Sequence, residues 1–271
     1  MDLIAELTAP ATGGGGDVLV AFLKVYGAVI ALMAALYVGV GLFFTVTNAR
    51  RPDRKIQKTR VNGETRREIL RAPASLATLA FYFSVGIFAQ IQGWTLAPAA
   101  FSWWSWPLLL VVSLLLYDAW FYWAHRLLHW KPMWRFHALH HKSITPTVWS
   151  NHSESFVEAS LLHLYYAIVP FLLPIPWQML LVQKIYDQVT GMVGHAGYEH
   201  FASPMSRIPW PLAGTVFHDQ HHSSFKANYG HTFSLWDRLM GTLHPRYDST
   251  VAAFEGPAPA AGDPQTTARE R

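Results

Sequence analysis

Histidines concentrate in a patterned way between His125 and His222. They fall there as H-R-L-L-H (His125, His129), H-A-L-H-H (His137, His140, His141) and H-D-Q-H-H (His218, His221, His222), with His195 in G-H-A-G-Y-E-H before the last cluster. On a helix, positions i, i+3 and i+4 lie on one face, so each cluster aims two or three imidazoles in one direction. Imidazole binds iron, copper, zinc and nickel. These residues therefore describe a metal site built mostly from histidine. The chain has no cysteine, which removes thiolate zinc sites, cysteine-ligated iron–sulfur clusters and disulfides.

The number of imidazoles narrows the metal. Nine are too many for one tetrahedral zinc, which takes three or four ligands. The chain lacks the H-E-x-x-H of zinc proteases and the paired Glu-x-x-His of soluble di-iron bundles. Two octahedral metals would leave room for oxygen and a bridging ligand, which suits a pair of irons activating O2. Bis-histidine haem needs pairs on opposite membrane-spanning helices, and these triplets fit it poorly.

The elements that position the histidines follow from hydropathy. Apolar residues make up 51% of the 271 and charged residues only 14%, a balance suited to a polytopic membrane protein with a sizeable polar part. Residues 1–24 read as a flexible lead-in, with Gly13–Gly16 at its centre and no basic start of the kind a secretory signal needs. Val25 to Val46 is an uncharged first span and Ala72 to Ala89 a second. Between them, Ala49–Arg71 carries nine Lys/Arg against three acids, with Asn62-Gly63 marking a turn. Trp94, Trp103, Trp104 and Trp106 follow without a base. This is the positive-inside pattern, with the basic loop in the cytoplasm and the tryptophans at the outer interface. The basic residues form a juxtamembrane cluster without a nucleic-acid fold signature, so no nucleic-acid partner is expected.

A third span runs from near Trp106 to His129 and delivers His125 and His129 to the cytoplasmic end. Asp118 and Tyr122 share their helix face. A carboxylate inside a span is expensive and normally partnered. Asp118 is thus a candidate to orient a ligand imidazole, the alternative being a helix-packing hydrogen bond, and Tyr122 is a candidate beside it. Residues 131–154 are polar and cytoplasmic. They end in N-H-S-E, where His152 is a further candidate ligand and Asn151 or Ser153 a candidate helix cap. Residues 156–182, interrupted by Pro170, Pro174 and Pro176, read as a helical hairpin that forms either two tight spans or a re-entrant loop. Lys184 and Asp187 can pair on one helix face, and His163 reads as a packed core histidine. From residue 246 onward a disordered tail is expected.

The expected fold is an all-α integral membrane protein with about four transmembrane helices, one a proline-containing hairpin. A cytoplasmic helical domain holding the histidine clusters caps them. The divisions are 1–24, 25–117 (spans and basic loop), 118–245 (the histidine domain) and 246–271.

The motifs H-R-L-L-H, H-A-L-H-H, N-H-S-E, G-H-A-G-Y, H-D-Q-H-H, N-Y-G and W-D-R-L-M-G-T stand in this order over roughly residues 118–245. In that combination the chain resembles the fatty acid hydroxylase/sterol desaturase superfamily of integral-membrane di-iron oxygenases. The resemblance implies a non-haem pair of iron ions that uses O2 and two electrons to hydroxylate or desaturate a C–H bond of a membrane lipid, fatty acyl or sterol-like. Carried over by motif, the ligands would be His125, His129, His137, His140, His141, His195, His218, His221 and His222. His152 matches a histidine of the sterol-type branch that is usually followed by proline; here Ser153 stands in that place. His200 and His231 fall outside the matched motifs. No nucleotide-binding G-x-G-x-x-G follows a strand, so a separate electron-donor protein or reductase is implied, docking on the cytoplasmic face. Two readings of other classes stand beside this one: a non-catalytic membrane metal-binding or transport protein, and a membrane hydrolase with a zinc pair.

Overall fold

The computed structural model describes residues 3–59 and 64–256; the Asn62-Gly63 turn and residues 257–271 lie outside them. The named elements are all helical, with two isolated bridges, Lys55 to Tyr198 and Leu212 to Phe233. In chain order they are α1 (Leu3–Thr8), α2 (Gly15–Arg50), α3 (Thr65–Ile91), α4 (Ser105–Leu128), α5 (Trp134–His137), α6 (Phe156–Leu172), α7 (Trp177–Gly194), α8 (Thr215–Ser224), α9 (Leu235–Leu239) and α10 (Tyr247–Phe254).

Three of these, α2, α3 and α4, are long and apolar enough to cross a membrane. Helix α2 has 36 residues, about 54 Å at 1.5 Å each. It buries one stripe, Val25, Val29, Met33, Tyr37, Gly41 and Phe44, at helical spacing. Leu19, Leu23, Val38, Leu42, Phe43 and Val46 stay exposed. Helix α4 does the same, facing Ser113, Tyr117, Asp118, Tyr122 and His125 inward while Leu108, Val111, Leu115 and Leu116 face out. Apolar residues on the outside and polar ones within are what a lipid solvent selects, because burial between apolar helices gains little over lipid contact. The chain is an integral membrane protein.

The proline-interrupted segment is a hairpin, α6 and α7, with Pro174 and Pro176 in its turn. It packs inside the bundle: α3 crosses α6 so closely that a Cβ on Gly86 would lie 2.1 Å from the Tyr166 carbonyl oxygen. At the same end as the histidines, Glu68 of α3 holds the 143–147 segment, accepting from Ser143 Oγ and from Thr147 Oγ1 at 2.7 Å. That ties the second histidine cluster to a spanning helix.

Two expected boundaries shift. The lead-in is largely ordered: Leu3–Thr8 is helical and α2 begins at Gly15, ten residues before the first uncharged run. Asp17 in its first turn favours the helix dipole, and Lys24 pairs with Glu6 at 2.6 Å. The expected disorder from 246 is corrected for residues 247–254, which form α10. Its Tyr247 and Val251 are fully buried against Val216 and Phe217 of α8, an apolar face hidden in the sequence by the alanines and prolines that follow.

Candidate metal centre

The nine motif histidines converge. Their ring nitrogens form two groups, one of His125, His129, His137, His141 and His221, the other of His140, His195, His218 and His222; within each group the nitrogens lie within 4.8 Å of one another. The end of α4 supplies His125 and His129, α5 supplies His137, and the 140–142 turn supplies His140 and His141. The C-terminal end of α7 supplies His195, and α8 supplies the last three.

Neighbours in sequence part company here. Successive helical residues point about 100° apart, so His140 and His141 face different groups, as do His221 and His222. His218 and His222, four apart, share a face and a group.

The partners of the outer ring nitrogens decide what the inner ones can do. His125 Nδ1 donates to the Tyr229 carbonyl (2.9 Å), His221 Nδ1 to the Ala227 carbonyl (2.7 Å) and His195 Nδ1 to the Gly191 carbonyl (2.7 Å). A carbonyl oxygen only accepts, so these three rings carry their proton on Nδ1 and turn a bare lone pair inward on Nε2. His137 Nδ1 meets Glu158 Oε1 at 2.7 Å. Inside the groups, Nε2 faces Nε2: His125 and His137 at 3.0 Å, His137 and His141 at 3.0 Å, His195 and His218 at 2.9 Å, His140 and His222 at 3.1 Å. Lone pairs at such distances repel. A proton relieves one pair, whereas a cation at the centre relieves the whole group. The donor sets thus fit two metal ions, one per group. Burial holds His129 down at about 4, and His140 also at about 4. Burial first, then the neighbouring imidazoles, pushes His218, His221 and His222 well below the usual range. At neutral pH these rings are unprotonated, as metal ligands must be.

The remaining candidates sit elsewhere. Asp118 does not reach a histidine. Its Oδ1 accepts from the backbone N–H of Thr232 (2.8 Å) and of Phe233 (3.1 Å), which corrects the expected carboxylate–imidazole bond. Asp118 and His125 share a helical face, but each bonds the 229–233 loop from far along the chain. Tyr122 is fully buried, its OH 3.0 Å from Thr242 Oγ1 and its ring against Trp236; among the described residues it makes no hydrogen bond to a motif histidine. His152 joins neither group. Its ring is held by Ser75 Oγ (3.1 Å) and Gln188 Oε1 (3.0 Å). His163 is buried but faces a cavity instead of the packed core, 3.9 Å from Glu154. His200 bonds Asn48, and His231 lies 3.4 Å from Asp187.

Residues the sequence reading did not single out complete the surroundings. Glu158 is fully buried, with Oε1 4.0 Å from His140 Nδ1 as well as 2.7 Å from His137. It thus bonds a histidine of one group and stands near a histidine of the other. Its signal was a carboxylate in an otherwise apolar hairpin. Asp237, the acid of W-D-R, accepts from the N–H of Tyr229 (2.8 Å) and of Gly230 (2.7 Å). A Cβ on Gly230 would come 2.5 Å from the Phe233 carbonyl, so that close turn needs glycine. N-Y-G and W-D-R are therefore one clasp, and it presents the Tyr229 carbonyl to His125. Beside both histidine groups opens a cavity of about 330 Å³, reached by His125 and His137 of one and His140, His195 and His218 of the other.

The fatty acid hydroxylase family model matches residues 110–242, the segment that carries every one of these histidines. This segment belongs to the fatty acid hydroxylase family. The chain is 27% identical over 191 residues to a Delta(7)-sterol 5(6)-desaturase of Gibberella zeae, covering 67% of the chain and 52% of that protein. It is 33% identical over 145 residues to methylsterol monooxygenase 1 of Gallus gallus (51% and 45%) and 35% identical over 152 residues to lathosterol oxidase of Mus musculus (55% and 48%). The chain spans about half the length of these relatives. No solved structure matches it.

Proposed function

We propose that this protein is a membrane-bound non-haem di-iron oxygenase that hydroxylates or desaturates a C–H bond of a lipid. The observation that carries the reading is the pair of histidine groups, five and four rings, each of which reaches one cavity in a bundle with three helices long and apolar enough to cross a membrane. The named activities of the relatives, sterol desaturation, sterol monooxygenation and lathosterol oxidation, support a lipid with a sterol-like or comparable apolar body.

The chain's own residues would act by binding and orientation. His125, His129, His137, His141 and His221 would hold one iron, and His140, His195, His218 and His222 the other. The backbone carbonyls of Tyr229, Ala227 and Gly191 fix three of these rings, and Glu158 a fourth, so that each Nε2 stays bare and aimed. Two irons bound there would supply reduction of O2 with two electrons and the power to break a C–H bond, ending in a hydroxyl group or a double bond. Phe121, Leu162 and Phe217 on the cavity wall would orient the apolar chain and exclude water. The basic loop 49–71 and the histidine groups are read as cytoplasmic, and electrons as coming from a separate protein that docks there.

The test is metal content together with oxygen uptake by the purified protein supplied with a reductase and a reduced carrier. The expected result is bound iron and lipid-dependent oxygen consumption. Zinc alone, with no oxygen consumed, would overturn the reading in favour of a zinc hydrolase; bound metal with no turnover would favour a metal-binding protein.

A further inference from the structure

The cavity has a second polar wall that the metal groups do not use. Lys184 and Asp187 of α7 are buried, at 1% and 5% exposure, and joined as an ion pair. His231 closes on Asp187 from the 229–233 loop at 3.4 Å, and His163 of α6 lies 3.9 Å from Glu154. All five line the cavity, and His163 Nδ1 is buried with no hydrogen-bond partner. Four separate segments thus bring donors and acceptors to one cavity within the helical bundle. Burying such groups is expensive unless they are paired and hydrogen-bonded, and a bare imidazole nitrogen leaves that set incomplete. Phe121 packs against both His231 of this wall and His125 of the metal groups, its ring 5.4 Å from that of His125 and 4.8 Å from that of His231. His231 and His125 thus share one aromatic neighbour.

The charges at this wall restrict what fits. Among the described residues lining the cavity, Lys184 is the one Lys or Arg, against Glu154, Glu158 and Asp187. A free carboxylate would add a fourth acid beside a base already paired. A neutral oxygen suits the wall: it accepts from Lys184 Nζ or the His163 ring and, as an alcohol, donates to Asp187 or Glu154. We infer that Lys184, Asp187, His231, His163 and Glu154 form a binding site for a neutral hydrogen-bonding group of the lipid, an alcohol for preference, and that this site sets which carbon reaches the metal groups. The inference rests on the reading of the cavity as a lipid site.

The experiment is equilibrium retention of three radiolabelled probes, octadecanol, octadecane and octadecanoate, by the purified iron-loaded protein in detergent against empty micelles. Wild type retains the alcohol about tenfold more tightly than the alkane, as a hydrogen bond to a charged group predicts, and more tightly than the carboxylate. The double variant Lys184→Met/Asp187→Leu removes the ion pair as a unit, without leaving a lone charge. It loses that preference while keeping its iron and its hold on the alkane. His163→Phe, which fills the ring's place, narrows the preference in the same direction. An unchanged preference in a double variant with normal iron content overturns the inference, as does a wild type that favours the carboxylate or holds alcohol and alkane alike. In those cases the lipid reading stands. Retention of none of the three overturns both.

Discussion

Glu158 Oε1 stands 2.7 Å from His137 Nδ1, and the same oxygen is 4.0 Å from the Nδ1 of His140. One buried carboxylate from the hairpin therefore lies behind both histidine groups. An outer partner of this kind fixes a ligand ring and raises its basicity, and its loss costs roughly 10–100-fold in metal affinity or activity. Glu158→Ala is expected to lose iron to a chelator about that much more readily, while Glu158→Gln, which retains an acceptor oxygen, loses less. Competition with a graded chelator reads this directly. Equal iron retention in all three proteins would remove Glu158 from the site.

The division into two groups makes a prediction about stoichiometry. His221 belongs to the five-ring group and His140 to the four-ring group. Each alanine substitution should abolish lipid oxidation and deplete chiefly its own group, so that roughly half the metal remains in either while the protein still inserts in the membrane. Metal analysis of purified variants checks it. Full metal content in His140→Ala or His221→Ala would show that the ring is no ligand.

Asp118 is predicted to matter for folding of the loop more than for metal. It accepts two backbone N–H groups from residues 232–233, and asparagine keeps one oxygen that can do so. Asp118→Asn should retain near-normal iron. Asp118→Leu strands one buried and one partly buried donor, and should destabilise by about 1–3 kcal/mol for the buried one. Thermal unfolding in detergent separates the variants. Iron loss in Asp118→Asn without loss of stability would restore a direct role at the metal.

At Gly86 the backbones of α3 and α6 nearly touch. An added methyl group must push the helices apart, and overpacking of this kind costs about 1–3 kcal/mol. Gly86→Ala is expected to lower the unfolding temperature with the histidine groups intact. An unchanged transition would mean the crossing relaxes freely.

The histidines also set a pH dependence in the metal-free protein. In the unfolded chain an imidazole protonates near 6.5, whereas burial holds His129 and His140 at about 4. Between those values the unfolded state binds more protons, so stability falls as pH drops from about 6.5 toward 4 and is level above 6.5 with respect to these groups. Metal-free protein should therefore melt lower at pH 5 than at pH 7, and iron should reduce the difference by occupying the nitrogens that would be protonated. Melting curves with and without metal at the two pH values check the sign.

Much of this molecule was written in local pattern. Three apolar runs became α2, α3 and α4, prolines marked the hairpin turn, and the i, i+3, i+4 spacing marked the three histidine clusters on their helices and turn. These are properties of single segments, fixed by hydropathy and helical periodicity. What joined the segments was not local. The assignment of His140 and His141 to different groups depends on where α4, α7 and α8 end relative to one another. The true partner of Asp118 lies 114 residues away. Glu158 looks in the sequence like an isolated charge, Lys184 and Asp187 like a pair on one helix face, which they are, and His163 like a core residue. Only packing shows that they line a shared cavity. A charge inside an apolar segment declares that it needs a partner, because leaving it bare is too costly; which partner answers is decided by the contact of helices distant in sequence.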